Sequence, residues 1–390
     1  MHNIITALKH NDRVCQIALK PIPGWQWGKF MEALSHPFPA LTHVRLKSDD
    51  ERETPSVAPD SFLGGSTPRL QFLWLERIPF LGLPNLLLSA SDTLVDLRLW
   101  EIPHSGYISP DAMVSCLSAL TKLERLDLEF ESSRSRPDRE NQLPPSSTST
   151  RFVLPSLTRF WFRGTSEYLE DLVAQIDAPL LDGFFICFFH QLIFDTPQLA
   201  QFIGRTPTLK LHSQSQVLCF SDWGASVIFP RAGTSDKALQ LGILCGQPEW
   251  QLASLAQVCT SSFPYASIPA VEHLSVLEET LSPPHWQDNI ENSQWLELFR
   301  PFKAVKNLYL SKEFAPRILP SLQELVGGRV TEALPALQKL SLEEIPPSRP
   351  VQKAIGKFFA ERRLSNHPIT ISHRERDGRD RDGNQSVFYV

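Results

Sequence analysis

The stretch Leu94-Val95-Asp96-Leu97-Arg98-Leu99 follows the pattern L-x-x-L-x-L, and Leu123-Glu124-Arg125-Leu126-Asp127-Leu128 repeats it 29 residues later. The second half of the pattern alternates apolar and polar residues, which is typical of a β-strand with one buried face. Ten copies occur at steps of 24 to 34 residues, apart from one gap of 90, and this period is the signature of leucine-rich repeats. The copies begin at Val14, Leu41, Leu70, Leu94, Leu123, Leu157, Leu181, Val271, Val305 and Leu337.

Helical spacing follows several of these strands. Met113, Cys116 and Leu117 share one helical face, and the pairs Ser109-Pro110 and Thr196-Pro197 predict an N-cap followed by a helix start. A single strand–helix unit cannot bury its apolar face alone, so the units must stack. We therefore expect an α/β fold, an irregular leucine-rich-repeat solenoid or horseshoe with a parallel sheet on its concave side and helices on its convex side. The alternative is an ordinary α/β sheet with coincidental leucines.

The turns after the strands depart from the usual repeat consensus, which places Asn or Cys there. Several copies carry Ile-Pro instead and predict an apolar turn without an asparagine ladder. These dipeptides are Ile22-Pro23, Ile78-Pro79, Ile102-Pro103 and Ile345-Pro346.

Three segments interrupt the repeats. Residues 131–151 are rich in Ser, Arg and Pro and predict a flexible loop. Two apolar runs flank Asp222-Trp223-Gly224 and predict an inserted β-hairpin over about 215–230, followed by a strand at 239–244. The charges of residues 372–390 alternate in sign, so a disordered tail is expected there. Residues 1–371 are predicted to form a single array.

The composition narrows the classes of function. The 390 residues are 42% hydrophobic and 21% charged, as in globular proteins, and the net charge of −5 disfavours nucleic acid as a partner. Six widely spaced cysteines without a CxxC pair suggest reduced core residues of an intracellular protein. The longest apolar run, residues 184–189, is too short to cross a membrane, and the start does not resemble a signal peptide. We expect a cytoplasmic or nuclear protein without a membrane partner.

No motif in the sequence predicts catalysis, a cofactor or a metal site. Cys187 and His190 are three residues apart but have no second pair, and the run Asp380-Arg381-Asp382-Gly383-Asn384 lacks the spacing of a calcium loop. Phosphate-binding and nucleophile motifs are absent from the sequence. We therefore do not expect an enzyme.

The residues between the leucines are expected to line the concave face, where a partner protein would bind. Aromatic and arginine side chains, which dominate interface hot spots, concentrate there in the first seven copies. Two alternatives stay open, because a loop or the tail could cover this stripe, or a slipped strand register could bury it. The candidate protein-binding residues are Phe72, Trp74, Arg98, Trp100, Arg159, Trp161, Arg163 and Phe185.

Four phrases resemble a known family. They are Leu83-Pro84-Asn85-Leu86-Leu87-Leu88-Ser89-Ala90, Ile102-Pro103-His104-Ser105-Gly106-Tyr107-Ile108-Ser109-Pro110, Tyr168-Leu169-Glu170-Asp171-Leu172 and Phe194-Asp195-Thr196-Pro197-Gln198-Leu199. Together they resemble the leucine-rich region of F-box proteins from mushroom-forming (basidiomycete) fungi, over about residues 3–371. The resemblance implies the substrate-binding part of an SCF-type ubiquitin ligase receptor, in which an F-box would bind the Skp adaptor and thereby the cullin.

The F-box itself, a compact helical module, is not recognisable in this sequence, because the first repeat already begins at Val14. Two hypotheses therefore remain. The chain is the recognition part of a ligase receptor whose F-box is supplied elsewhere, or it is a free-standing repeat scaffold without ligase coupling. The sequence does not specify the target protein.

Overall fold

The computed structural model describes residues 2–19, 21, 24–48, 57–137, 151–209, 215–230, 237–263, 268–279, 290–325, 329–343 and 349–374. The chain forms two compact units, here called unit 1 (Met1–Phe189 with Arg205–Leu209) and unit 2 (His190–Gly204 with Lys210–Val390). That the repeats of both units act as one array stays a prediction.

Seven strands of unit 1 pair in parallel and in chain order, while β6 and β8 form a separate parallel pair. The strands are β1 (Gln16–Ala18), β2 (His43–Lys47), β3 (Phe72–Glu76), β4 (Asp96–Ile102), β5 (Arg125–Phe130), β6 (Phe152–Val153), β7 (Arg159–Gly164), β8 (Ile176–Asp177) and β9 (Gly183–Phe189).

One helix precedes β1, and four more lie between strands in the chain. They are α1 (His2–Leu8), α2 (Gly24–Ala33), α3 (Leu83–Ser89), α4 (Pro110–Ser118) and α5 (Ser166–Val173). Helix α4 begins at Pro110 as predicted, and the Ser109 hydroxyl accepts a hydrogen bond from the Ala112 amide at 3.3 Å. This bond satisfies one of the free N–H groups at the start of the helix.

The repeat pattern supplies the core. In nine of the ten copies, all three apolar positions are at most 3% exposed, and strand pairing sets equivalent positions side by side, as in Leu73↔Leu97 and Leu97↔Leu126. The first copy forms the sheet edge, where Val14 and Leu19 are only half-buried. The predicted leucine-rich-repeat fold of the α/β class is confirmed.

Two of the four Ile-Pro turns fall within the described residues. Ile78 and Ile102 are buried, so these turns are apolar as predicted. The residues before them, Arg77 and Glu101, take left-handed φ values of 57° and 49°, and their side chains form an ion pair with each other. The turns at Ile22-Pro23 and Ile345-Pro346 lie outside the described residues.

Unit 2 combines an antiparallel and a parallel region. Its strands are β10 (Ser215–Ser221), β11 (Gly224–Pro230), β12 (Lys237–Leu244), β13 (His273–Glu278), β14 (Asn307–Leu310), β15 (Lys339–Glu343) and β16 (Thr370–Arg374). Strands β10 and β11 form the predicted hairpin, and β12, the strand expected at 239–244, continues it antiparallel. Strand β10 pairs in parallel with β13, which is followed by β14, β15 and β16.

Two predicted boundary segments are partly described. Strand β16 includes residues 372–374, which we assigned to the disordered tail, whereas the rest of that tail lies outside the described residues. Of the loop expected at 131–151, residues 131–137 form turns and bends, and residues 138–150 are outside the described ranges.

Five further helices are α6 (Pro197–Arg205), α7 (Pro248–Ser261), α8 (Asn292–Phe299), α9 (Ala315–Gln323) and α10 (Arg349–Leu364). Helix α6 begins at Pro197 as predicted. The Thr196 hydroxyl lies 2.6 Å from the Ser262 hydroxyl at the end of α7, so this residue also connects the start of α6 to the end of α7. None of the described helices combines the length and apolar character that crossing a bilayer requires.

The buried Arg362 anchors α10. Its guanidinium donates hydrogen bonds to three backbone carbonyls, those of Leu337 at 2.7 Å, Val330 at 3.1 Å and His367 at 3.2 Å. Burial lowers the pKa of this guanidinium. The carbonyls take the place of a carboxylate in stabilising the buried cation.

No disulfide joins any of the six cysteines, all of which lie within the described residues. Cys116, Cys187, Cys245 and Cys259 are buried, as expected for core residues. Cys15 is exposed and Cys219 only half-buried, so the expectation of core cysteines was wrong for these two.

Candidate protein-binding face

Parallel pairing places all eight candidate residues on one face of the unit 1 sheet, opposite the buried leucines. We call this surface, with the residues beside them in the same rows, the arginine–aromatic face. The first row is His43, Phe72, Asp96, Arg125, Arg159 and Gly183. The second row is Arg45, Trp74, Arg98, Asp127, Trp161 and Phe185. The third row contains Lys47, Glu76 and Trp100, and then Glu129, Arg163 and Cys187.

Trp74 is the centre of the first aromatic cluster. The Arg45 guanidinium lies 3.5 Å above its ring, and the Trp100 ring meets it edge-on at 4.7 Å. Arg98 lies 5.6 Å from the Trp74 ring and 5.2 Å from the Phe72 ring. These contacts leave Trp74 only 8% exposed, so our expectation of an open aromatic stripe was wrong at this position. The side chains that cover Trp74 come from neighbouring strands of the same sheet.

Asp127 connects the first cluster to β5. It is 1% exposed and accepts hydrogen bonds from Arg125 at 2.9 Å and from the Trp100 indole N–H at 3.3 Å. Arg98 forms two hydrogen bonds with Asp96, which raise the pKa of Arg98. The ion pairs hold the aromatic rings in one arrangement, since each ring touches a charged group that is itself paired.

Trp161 and Phe185 form the second cluster. Their rings stack at 5.6 Å and are both half-exposed. Beside them, Arg163 forms an ion pair with Glu129 at 2.5 Å and lies 5.7 Å from the Phe189 ring. Unlike Trp74, both rings of this pair are open in part to a partner.

Glu129 has a perturbed pKa. Burial raises it to about 7, and the Arg163 charge counteracts part of this effect. The carboxylates of Glu101 and Glu76 raise it further by repulsion. Burial also raises the pKa of the neighbouring Cys187 thiol to about 12, so this cysteine is an unreactive thiol at neutral pH.

Our list of candidate residues did not include several charged residues that form ion pairs or cation–ring contacts on this face. We selected aromatic and arginine residues but not Arg45, Glu76, Asp127 or Glu129, although all four stand at the same alternating positions. The signal was the opposite charge at equivalent positions of neighbouring copies, such as Lys47 beside Glu76, whose side chains meet at 2.6 Å. Opposite charges on neighbouring strands form cross-strand pairs.

The corresponding face of unit 2 is less charged. Its central row is Ser275, Tyr309, Ser341 and Ser372, with Ser341 and Ser372 hydroxyls 3.0 Å apart. Tyr309 is the aromatic residue of this row. The concentration of arginines and aromatic rings that the sequence indicates is therefore a property of unit 1.

The described ranges contain no group of three His, Cys, Asp or Glu side chains that could hold a metal ion. An open cavity of about 330 Å³ in unit 2 lies between Trp295, Lys312 and Arg317. A second one of about 270 Å³ is lined by Arg45, Lys47 and Glu76 of the arginine–aromatic face and also by Leu19 and Leu46.

Comparison with known proteins gives little further identification. No protein-family model matches the chain, and no curated protein matches it. Among solved structures, the leucine-rich repeat-containing protein LegL7 from Legionella pneumophila aligns with 88% of this chain and 96% of its own, at 17% identity and a TM-score of 0.32. A likeness at this level supports no inference about function. The strand register and buried leucines of the chain itself therefore identify it as a leucine-rich-repeat fold.

Proposed function

We propose that the chain is a protein-recognition module and that its arginine–aromatic face binds the partner. The observation that carries the proposal is the half-exposed ring pair Trp161–Phe185 beside the rigid cluster of Trp74 and Trp100. Aromatic and arginine side chains held in place by their neighbours lose little conformational entropy on binding, and such residues dominate interface energies. All eight candidate residues remain part of this proposal.

A finer proposal makes the chain the substrate-binding part of an SCF-type ubiquitin ligase receptor. Its support is the resemblance of the sequence to F-box proteins of mushroom-forming fungi. In that case the Skp adaptor and the cullin are partners through an F-box supplied elsewhere. The second candidate is a free-standing scaffold, which uses the same face without ligase coupling.

The test is affinity capture from fungal lysate with quantitative mass spectrometry, using the native chain and the variant Trp100→Ala/Trp161→Ala/Phe185→Ala. Trp250→Ala, which removes a half-exposed tryptophan from unit 2, is the matched control. We expect partners retained by the native chain and the control to be lost from the triple variant, because each hot-spot truncation costs about 2 kcal/mol or more.

The outcomes separate the candidates. Enrichment of the Skp adaptor and cullin with the native chain supports ligase coupling, and their absence beside other specific partners supports the scaffold. Capture of the same proteins by all three versions contradicts the assignment of the face.

A further inference from the structure

The charges of the arginine–aromatic face are arranged in two layers. Strands β2, β3, β4, β5, β7 and β9 contribute six cations and four carboxylates to its three rows. In the pairs formed by Glu76, Asp127 and Glu129, the cation is at least twice as exposed as the carboxylate. A partner therefore meets guanidinium and ammonium groups first, on a chain whose net charge is −5.

Two exposed arginines of this face have no carboxylate within ion-pair distance among the described residues. Arg45 lies over the Trp74 ring, and Arg159 is exposed on β7. The remaining arginines of the three rows, Arg98, Arg125 and Arg163, are all paired. Arg45 and Arg159 are thus the two cations that can take a new anionic partner without breaking an existing pair.

We propose, building on the proposed function, that the arginine–aromatic face binds an acidic segment of its partner in an extended conformation. Carboxylates of the segment pair with Arg45 and Arg159, and its apolar side chains lie on Phe72 and Trp100, whose strands are between the two arginines, and on Trp161 beside Arg159. The open cavity beside Arg45 is also lined by Lys47 and by its partner Glu76, so two cations and one carboxylate border it, and it has room for one of the acidic side chains. Guanidinium groups match carboxylates well, because both are planar and form two parallel hydrogen bonds.

The strand order sets the spacing of the two acidic residues. Arg45 on β2 and Arg159 on β7 are four strands and one row apart, so their Cα atoms are separated by about 20 Å. An extended segment advances about 3.3 Å per residue. Two acidic residues about six positions apart therefore reach both arginines when the segment crosses the strands.

A phage-displayed library of random twelve-residue peptides, selected against the full chain, tests this proposal. We expect selected peptides to carry Asp or Glu at two positions about six apart. In fluorescence-anisotropy titrations, labelled copies should bind the Arg45→Gln/Arg159→Gln variant about tenfold or more weakly. Rising salt concentration should also weaken their binding.

The matched control is Arg69→Gln/Lys122→Gln, which removes two exposed cations of unit 1 outside the face and makes the same change in net charge. It should bind the peptides like the native chain. The variant Arg45→Lys/Arg159→Lys should recover part of the affinity, which shows that a loss in the glutamine variant is not a loss of folding.

Failure of this inference differs from failure of the proposed function. The selected peptides could lack acidic enrichment, fail to bind the Trp100→Ala/Trp161→Ala/Phe185→Ala variant and still bind Arg45→Gln/Arg159→Gln. This result would overturn the acidic segment but retain the binding face. Peptides that bind both variants as tightly as the native chain would overturn the acidic segment and the binding face together. A labelled single-stranded oligonucleotide of twenty nucleotides tests whether a phosphate backbone is the ligand instead. If it binds more tightly than every selected peptide, the proposal of an acidic peptide segment is overturned.

Discussion

Glu129 is expected to make the stability of the chain depend on pH between about 4.5 and 8. Burial raises its pKa from an ordinary 4.5 to about 7 against the opposing effect of Arg163, so the folded chain keeps a proton on this carboxyl that the unfolded chain releases. The folded state therefore binds more protons over this range, and the free energy of unfolding falls as the pH rises. Below about pH 4.5 the contribution of Glu129 to the free energy of unfolding is fully present, and as the pH rises through about 7 this contribution is lost.

The size of the effect follows from the shift. A change from 4.5 to about 7 corresponds to about 3 kcal/mol, with a slope of about 1.4 kcal/mol per pH unit inside the window. The perturbation is Glu129→Gln, which keeps the shape of the side chain but cannot ionise. We expect the stability of the native chain relative to this variant to fall by about 3 kcal/mol from pH 4.5 to 8.

The assay is urea unfolding at four or five pH values, with the native chain, Glu129→Gln and the control Glu124→Gln. Glu124 is exposed at the start of the same repeat, so its variant should follow the pH profile of the native chain. A constant difference between the native chain and Glu129→Gln over the whole range would refute the reasoning. It would mean that the Arg163 ion pair outweighs burial and keeps Glu129 ionised throughout.

Two further predictions concern unit 2. Arg362→Met should lower the free energy of unfolding, measured by urea unfolding, by about 2 to 4 kcal/mol, because three carbonyls lose their donor. The control Arg363→Met changes an exposed neighbour and should alter the free energy of unfolding by under about 0.5 kcal/mol. Equal effects of the two substitutions would contradict the anchoring role of Arg362. Gly224→Ala should strongly reduce the midpoint of thermal unfolding, since the new Cβ would lie 2.0 Å from the Ile243 carbonyl oxygen. In the control Gly356→Ala, the new Cβ in helix α10 meets nothing within 4 Å, so the midpoint of thermal unfolding should rise slightly. An unchanged midpoint in Gly224→Ala would contradict the prediction and show that the hairpin can shift.

Local patterns were sufficient for most of the repeat architecture. The spacing L-x-x-L-x-L predicts where each strand lies and which side chains are buried, because a strand alternates its side chains and only one register buries all the leucines. Ser109-Pro110 likewise predicts the start of α4, since an N-cap bond involves only neighbouring residues. The ten copies, the β10–β11 hairpin and β12 follow from such short-range rules.

Long-range contacts were beyond this reasoning. The sequence predicts that Thr196 precedes α6, but it does not predict the contact of its hydroxyl with Ser262, 66 residues away, which forms because folding brings the end of α7 to that position. Strand β16 was missed because its residues Thr370–Arg374 lack the leucine pattern, and it gains its order by pairing with β15.

The amino-acid pattern was enough to establish the repeat fold and the side of the sheet that carries Trp74, Trp100 and Trp161. Tertiary structure alone decided how open that surface is. Trp74 is covered by Arg45 from one neighbouring strand and touched by Trp100 from the other, and the buried Asp127 holds Trp100 in place. The sequence of one strand does not predict which side chains it will contact on the neighbouring strands. Those residues lie 24 to 34 positions away in the chain, and the contacts form only once the strand register is set.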